Sequence, residues 1–151
     1  MGEGKGEGEY VYSIMRPLIR GGNKRIAPKP VIWIIDSQQW PRAYLRAELI
    51  ERGLEAIGFV ELTEAVAALY NPEYVTPHLI VLELQGQSIT KGDLDTLTRF
   101  GISTVALGGA AELGQPLVKE FNWRAMIRRP FTIGEIADAV EELAGRSELS
   151  S

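Results

Sequence analysis

Two runs of apolar residues, almost free of polar interruption, restrict the folds open to this chain. They are Val31-Ile32-Trp33-Ile34-Ile35 and Leu79-Ile80-Val81-Leu82, the second continuing past Glu83 to Leu84. A strand with one wet face alternates apolar and polar residues, whereas a strand without alternation is covered on both faces, as in the middle of a parallel sheet. Glu83 then falls at the carboxyl end of a central strand, where open α/β sheets build their sites. His78, the one histidine, falls at the opposite end of the same strand, which argues against a catalytic or metal role for it.

The rest of the chain from residue 30 alternates strand and helix patterns. Asp36-Ser37 ends the first strand, and Pro41 suits the first turn of a helix in which Tyr44, Leu45, Leu49 and Ile50 recur at helical spacing up to Gly53. Residues 56–60 form a second strand, and Thr63-Glu64 opens a helix with Val66, Leu69 and Tyr70 inward, ending before Pro72. After the strand at 79–84 come a polar loop, a short helix over 92–100, a fourth strand over 103–107 and the glycine-rich exit Gly108-Gly109-Ala110-Ala111. A weak helix over 113–121, a fifth strand over 124–128 and an amphipathic helix over 132–144, with Ile133, Ile136, Val140 and Leu143 inward, complete the pattern. Five strands alternating with five helices predict an α/β three-layer sandwich, a doubly wound five-stranded parallel sheet. At 151 residues the chain supports one such domain, over 31–145, with a tail over 146–151.

Charge is unevenly placed. Residues 1–9 alternate Gly with Glu and Lys and cannot bury a core. Residues 10–30 hold five bases and no acid, while residues 31–151 hold 10 bases against 17 acids. The segment 1–30 is therefore an arm, read either as one that lies on an acidic protein surface or as a basic arm for lipid or nucleic acid. Tyr10, Val11, Tyr12, Ile14 and Met15 are too apolar for a solvated basic tail and favour docking on protein. The net charge of -4 argues against a dedicated nucleic-acid binder. The absence of cysteine excludes disulfides and thiolate chemistry, and no apolar run is long enough to span a bilayer; the expected compartment is the cytoplasm. Trp33, Trp40 and Trp123 are expected to be packing residues.

The order and spacing of these landmarks resemble the receiver domain of bacterial two-component response regulators, with strand order 2-1-3-4-5, over residues 30 to about 144. The carriers are residues 31–37, 77–84, 103–109 and Ala125-Met126-Ile127-Arg128-Arg129-Pro130-Phe131. The resemblance implies a site built from an acid pair and a phosphoacceptor aspartate that together hold Mg2+. This sequence departs from that set: the pair reads Asp36-Ser37, and the acceptor position reads Glu83, whose extra methylene moves the carboxylate by roughly an ångström. The family's hydroxyl residue falls on Gly108, its switch aromatic on Met126 and its lysine on Arg129. Asp36 and Glu83 remain as weak metal candidates.

The expectation from the resemblance is a degenerate site with no cofactor, no enzymatic activity and a standing contact between Glu83 and Arg129, beside a cis Arg129–Pro130 bond. Signalling would pass by contact with a protein partner or a second copy, through the surface of the fourth helix, fifth strand and fifth helix, without membrane or nucleic acid. A small-ligand or nucleotide-binding domain of flavodoxin type, using the loop Gly108-Gly109-Ala110-Ala111, is the competing reading. A receiver that still accepts a phosphoryl group is the third.

Overall fold

The computed structural model describes residues 28–150, with side chains through 145. The acidic leader and most of the basic arm, including the docking expected of residues 10–19, lie outside the described residues. The elements are β1 (Val31–Ile35), α1 (Gln39–Glu51), β2 (Glu55–Phe59), α2 (Leu62–Leu69), β3 (Leu79–Glu83), α3 (Lys91–Phe100), β4 (Thr104–Gly108), α4 (Ala110–Leu113), α5 (Pro116–Glu120), β5 (Ala125–Arg128) and α6 (Ile133–Ser150). The five strands form one parallel sheet in the order β2-β1-β3-β4-β5, the doubly wound order expected from the sequence.

The unalternating runs become the central strands. Trp33 lies opposite Ile57 on one side and Ile80 on the other, and every residue of β1, β3 and β4 is buried. Successive side chains alternate between two cores. Trp33, Ile35, Ile80, Leu82 and Ala106 meet Leu62 and Ala65 of α2, Leu94 and Leu97 of α3 and Val118 of α5. Ile32, Ile34, Val81, Val105 and Leu107 meet Leu45 and Leu49 of α1 and Ile136, Ala137 and Val140 of α6. Arg52 ties the two helices of that second layer, reaching Asp138 at 2.6 Å and Glu141 at 3.2 Å from its place beyond α1. The sheet's outer strands are treated differently. On β2 the Arg46 guanidinium donates to the Ala56 carbonyl at 2.8 Å, occupying an acceptor that β1 does not use.

Some local expectations change. The fourth helix is two pieces, α4 and α5, because Gly114 and Pro116 interrupt it and Pro116 restarts the second piece at its first position. The described residues therefore hold six helices, not five. The last helix does not stop at Ala144 but runs to Ser150, since Gly145 is followed by residues that tolerate helix and by no proline. Tyr70 is exposed, not inward: the buried stripe of α2 is Leu62, Ala65 and Ala68, and Tyr70 packs edge-on against Phe100 outside it. Trp40 also sits at the surface, stacked on Tyr44 one turn on, while Trp33 packs inside the core and Trp123 packs half-buried against it.

Trp33 is the largest wholly buried side chain, 4.8 Å from the Phe59 ring and 5.8 Å from Tyr74, and its indole N–H has no partner among the described residues. Trp33→Ala is expected to cost about 3–5 kcal/mol in urea denaturation. Trp33→Phe is expected to cost well under half as much, because losing an unpaired buried N–H recovers roughly 1–3 kcal/mol.

Candidate functional site

Parallel strands deliver their carboxyl ends to one rim of the sheet, and the loops there carry the sequence-predicted residues. Asp36 leaves β1, Glu83 ends β3, Gly108 ends β4 and Arg129 follows β5. The structure brings Asp36, Glu83 and Arg129 together around one cavity of about 220 Å³. Ser37, Gly108 and Met126 are not among the residues that line it.

The Arg129 Nη2 donates to Glu83 Oε1 in a salt bridge, with the Glu83 side chain 8% exposed and Arg129 38% exposed. The other oxygen, Oε2, accepts from the Gln85 amide at 2.9 Å. The guanidinium also lies 4.9 Å over the Phe131 ring, which adds a cation–π contact. The Arg129–Pro130 bond is cis. Asp36 is buried; its Oδ1 accepts from the Gln38 amide at 2.9 Å, and Arg42 donates to its main-chain carbonyl at 2.8 Å.

Burial pushes both carboxyl pKa values up. For Glu83 the Gln85 amide and then Arg129 offset part of that rise, and the Asp36 charge adds to it. For Asp36 the offsets are the Gln38 amide, Arg42 and Arg129. A carboxyl whose folded pKa is raised contributes stability that is present below its unfolded pKa and is lost as pH rises through the folded value.

The loops beside the pair are closely packed on one another. Ser37 stands where the second acid would be, and its hydroxyl donates to the Gln85 carbonyl at 3.4 Å, a long contact. Gly86 turns the same loop at φ +82°, and a Cβ there would lie 2.3 Å from Ser37 Oγ, so this loop is held close to β1 by a residue with no side chain. Gln87 fixes its far side, accepting from the Leu62 amide at 2.9 Å and donating to the Val60 carbonyl at 2.8 Å. At Gly108 a Cβ would meet the Glu112 Cβ at 3.2 Å and Leu84 and Leu113 within 3.6 Å, so the place of a hydroxyl side chain is taken by α4. The Gly109 amide, which a phosphate would need, donates instead to Glu112 Oε1 at 2.8 Å.

Mg2+ prefers an octahedron of oxygen ligands. Among the described residues no group of three or more His, Cys, Asp or Glu is placed to hold a metal. Two carboxylates stand at this rim, and one of them is already on an arginine. Met126 points from edge strand β5 to solvent at 45% exposure. Sequence reasoning missed the roles of Gln87 and Glu112. An N3 glutamate three residues beyond a helix start was legible for Glu112, whereas the Gln87 bridge joins loops 25 residues apart and leaves no local pattern. A larger cleft, about 420 Å³, opens at the other end of the strands by Phe121 and Trp123, with Arg124 its one charged residue.

No protein-family model matches the sequence, and no curated protein does. Solved structures do match. A response regulator receiver domain from Clostridium thermocellum is 16% identical with a TM-score of 0.66, over 81% of this chain and 99% of that one. The beryllofluoride-activated NtrC receiver domain is 17% identical with a TM-score of 0.63, over 80% of this chain and 98% of that one. A structure described as a redox sensor of streptococci evolved from two-component response regulators is 16% identical with a TM-score of 0.67, over 80% of this chain and 54% of that one.

Replacing Arg129 by Ala removes the ion-pair partner of Glu83 and one of the two arginines that act on Asp36. The expected loss at neutral pH is about 1–3 kcal/mol, below the range of a wholly buried pair because the arginine is partly solvated. Both carboxyl pKa values rise further in the variant, so the deficit should be largest at neutral pH and shrink as pH falls and the pair protonates. Denaturant titrations of both proteins across the acid range measure this. By its strand order, its site at the carboxyl rim and these structural likenesses, the chain has the fold of a response regulator receiver domain.

Proposed function

We propose that this chain is a receiver-type signalling domain that acts through protein contact and has given up phosphoryl transfer. One observation carries the proposal: the acid at the acceptor position, Glu83, is held by Arg129, and its second oxygen is held by a backbone amide. A nucleophile engaged on both oxygens is poorly placed to attack. The filled space at Gly108 and the hydroxyl at Ser37 favour the same reading, because they remove a phosphate ligand and a metal ligand. The scaffold has taken other inputs: a structure described as a streptococcal redox sensor evolved from two-component response regulators has this fold. On this reading the domain is not an enzyme and works in the cytoplasm; among the described residues no helix is long and apolar enough to cross a membrane.

The contact surface is placed on α4, α5, β5 and α6. Its support is that β5 is an edge strand whose Met126 and Arg128 face solvent. The partner is a second copy or another protein. If it is a second copy, light scattering gives a mass above one chain, and Met126→Asp with Arg128→Glu returns it to one chain with an unchanged circular dichroism spectrum. A mass of one chain throughout assigns the surface to a different protein.

The competing nucleotide reading needs free amides after β4, and the Gly109 amide is bonded to Glu112. The central test is incubation with acetyl phosphate and Mg2+ followed by intact mass measurement. The expected result is no added phosphoryl group; a stable gain of one overturns the proposal.

A further inference from the structure

The cavity beside the Glu83–Arg129 pair has a mixed lining, with apolar side chains from Leu45, Leu107, Phe131 and Ile136 and charged ones from Asp36, Glu83 and Arg129. Glu83 uses both oxygens, on Arg129 and on the Gln85 amide. Asp36 uses one, Oδ1; its Oδ2 receives no hydrogen bond from any described residue, although the residue is only 8% exposed. Arg42 is close by but donates to the Asp36 main-chain carbonyl, not to the carboxylate. That oxygen is not sealed from solvent, since the buried side-chain polar atom left without a partner among the described residues is the Trp33 indole nitrogen; a carboxylate oxygen at a cavity without a protein donor is best met by a group that carries both N–H donors and positive charge.

We propose that this cavity binds a small monoamine with a compact apolar body, its ammonium on Asp36 Oδ2 and its hydrocarbon part against Leu45, Leu107, Phe131 and Ile136. The proposal rests on the reading that the site is released from phosphoryl transfer. Other classes fit less well. A hard divalent cation needs oxygen ligands, and the apolar side chains of the lining have none to give. A carboxylate ligand would face Asp36 and find Arg129 already on Glu83. Size sets the scale: an apolar cavity of ~150 Å³ holds benzene, so about 220 Å³ has room for one ring and an aminomethyl arm. The occupied cavity would touch Phe131 and Ile136, the latter on α6, so occupancy couples to the proposed contact surface and must be coupled back by it.

The test uses the full chain, with benzylamine, benzyl alcohol, benzoate and Mg2+ as probes in calorimetry and in amide-resolved NMR. Benzylamine is expected to bind saturably and shift the Leu107 and Ile136 amides, with benzyl alcohol weaker by about tenfold or more, the worth of a charge-assisted hydrogen bond. Asp36→Asn should erase the preference for the amine over the alcohol. Ile133→Phe, which fills the cavity from its half-buried place on α6, should abolish binding of both while the domain stays folded. Equal affinity for amine and alcohol, amine binding that survives either variant, or tighter binding of benzoate or Mg2+ overturns the proposal. Should Asp36→Asn fail to fold, the comparison of amine with alcohol on the unaltered chain still decides. A chain that gains no phosphoryl group from acetyl phosphate and also fails to bind benzylamine keeps the functional reading and loses this one.

Discussion

Burial of β1 and β3 on both faces is the constraint from which the rest of this structure follows. A strand covered on both sides needs two layers of helix, and parallel neighbours need crossovers long enough to hold them. The helices of each layer then present one apolar stripe each, Leu45 and Leu49 on α1, Leu94 and Leu97 on α3, Ile136 and Val140 on α6. Parallel strands also send every carboxyl end to the same rim. Asp36, Glu83 and Arg129, 93 positions apart in the chain, meet there because the sheet has no other arrangement for its ends.

The rim has the architecture of a receiver site but a different charge logic. Burial disfavours both carboxylates, and two arginines, Arg42 and Arg129, together with two backbone amides counterbalance it. The counterbalance is internal to the protein. Gln87 joins the loop after β3 to the start of α2, Glu112 closes the turn into α4, and Gly86 lets the loop after β3 pack on Ser37, so neighbouring loops of the rim are tied to one another.

Most of the sheet was legible in the sequence because a fully apolar strand has a pattern that survives without tertiary information. The strands at 56–60, 103–107 and 124–128 lie within one residue of β2, β4 and β5. The helix containing Gly114 and Pro116 was legible as weak but not as two pieces. Tyr70 was misplaced because small alanines, Ala65 and Ala68, set the buried stripe of α2, and alanine carries little pattern. At the site, the pairing of Arg129 with Glu83 followed from aligning landmarks. What could not be read was space: only coordinates reveal that α4 crowds Gly108, or that Asp36 keeps one oxygen without a donor.

Arg46 on the Ala56 carbonyl has a consequence for assembly. An edge strand offers unused donors and acceptors to any passing chain, and a guanidinium laid along it removes acceptors and adds charge. With β2 guarded in this way, growth of the sheet by addition of a strand from another molecule is directed to its opposite margin. There β5 is four residues long, flanked by Arg124 and ending in Arg128, too short and too charged to template an extended aggregate. Among the described residues the sheet thus has one margin open to pairing, and its short, charged strand limits how far that pairing can run.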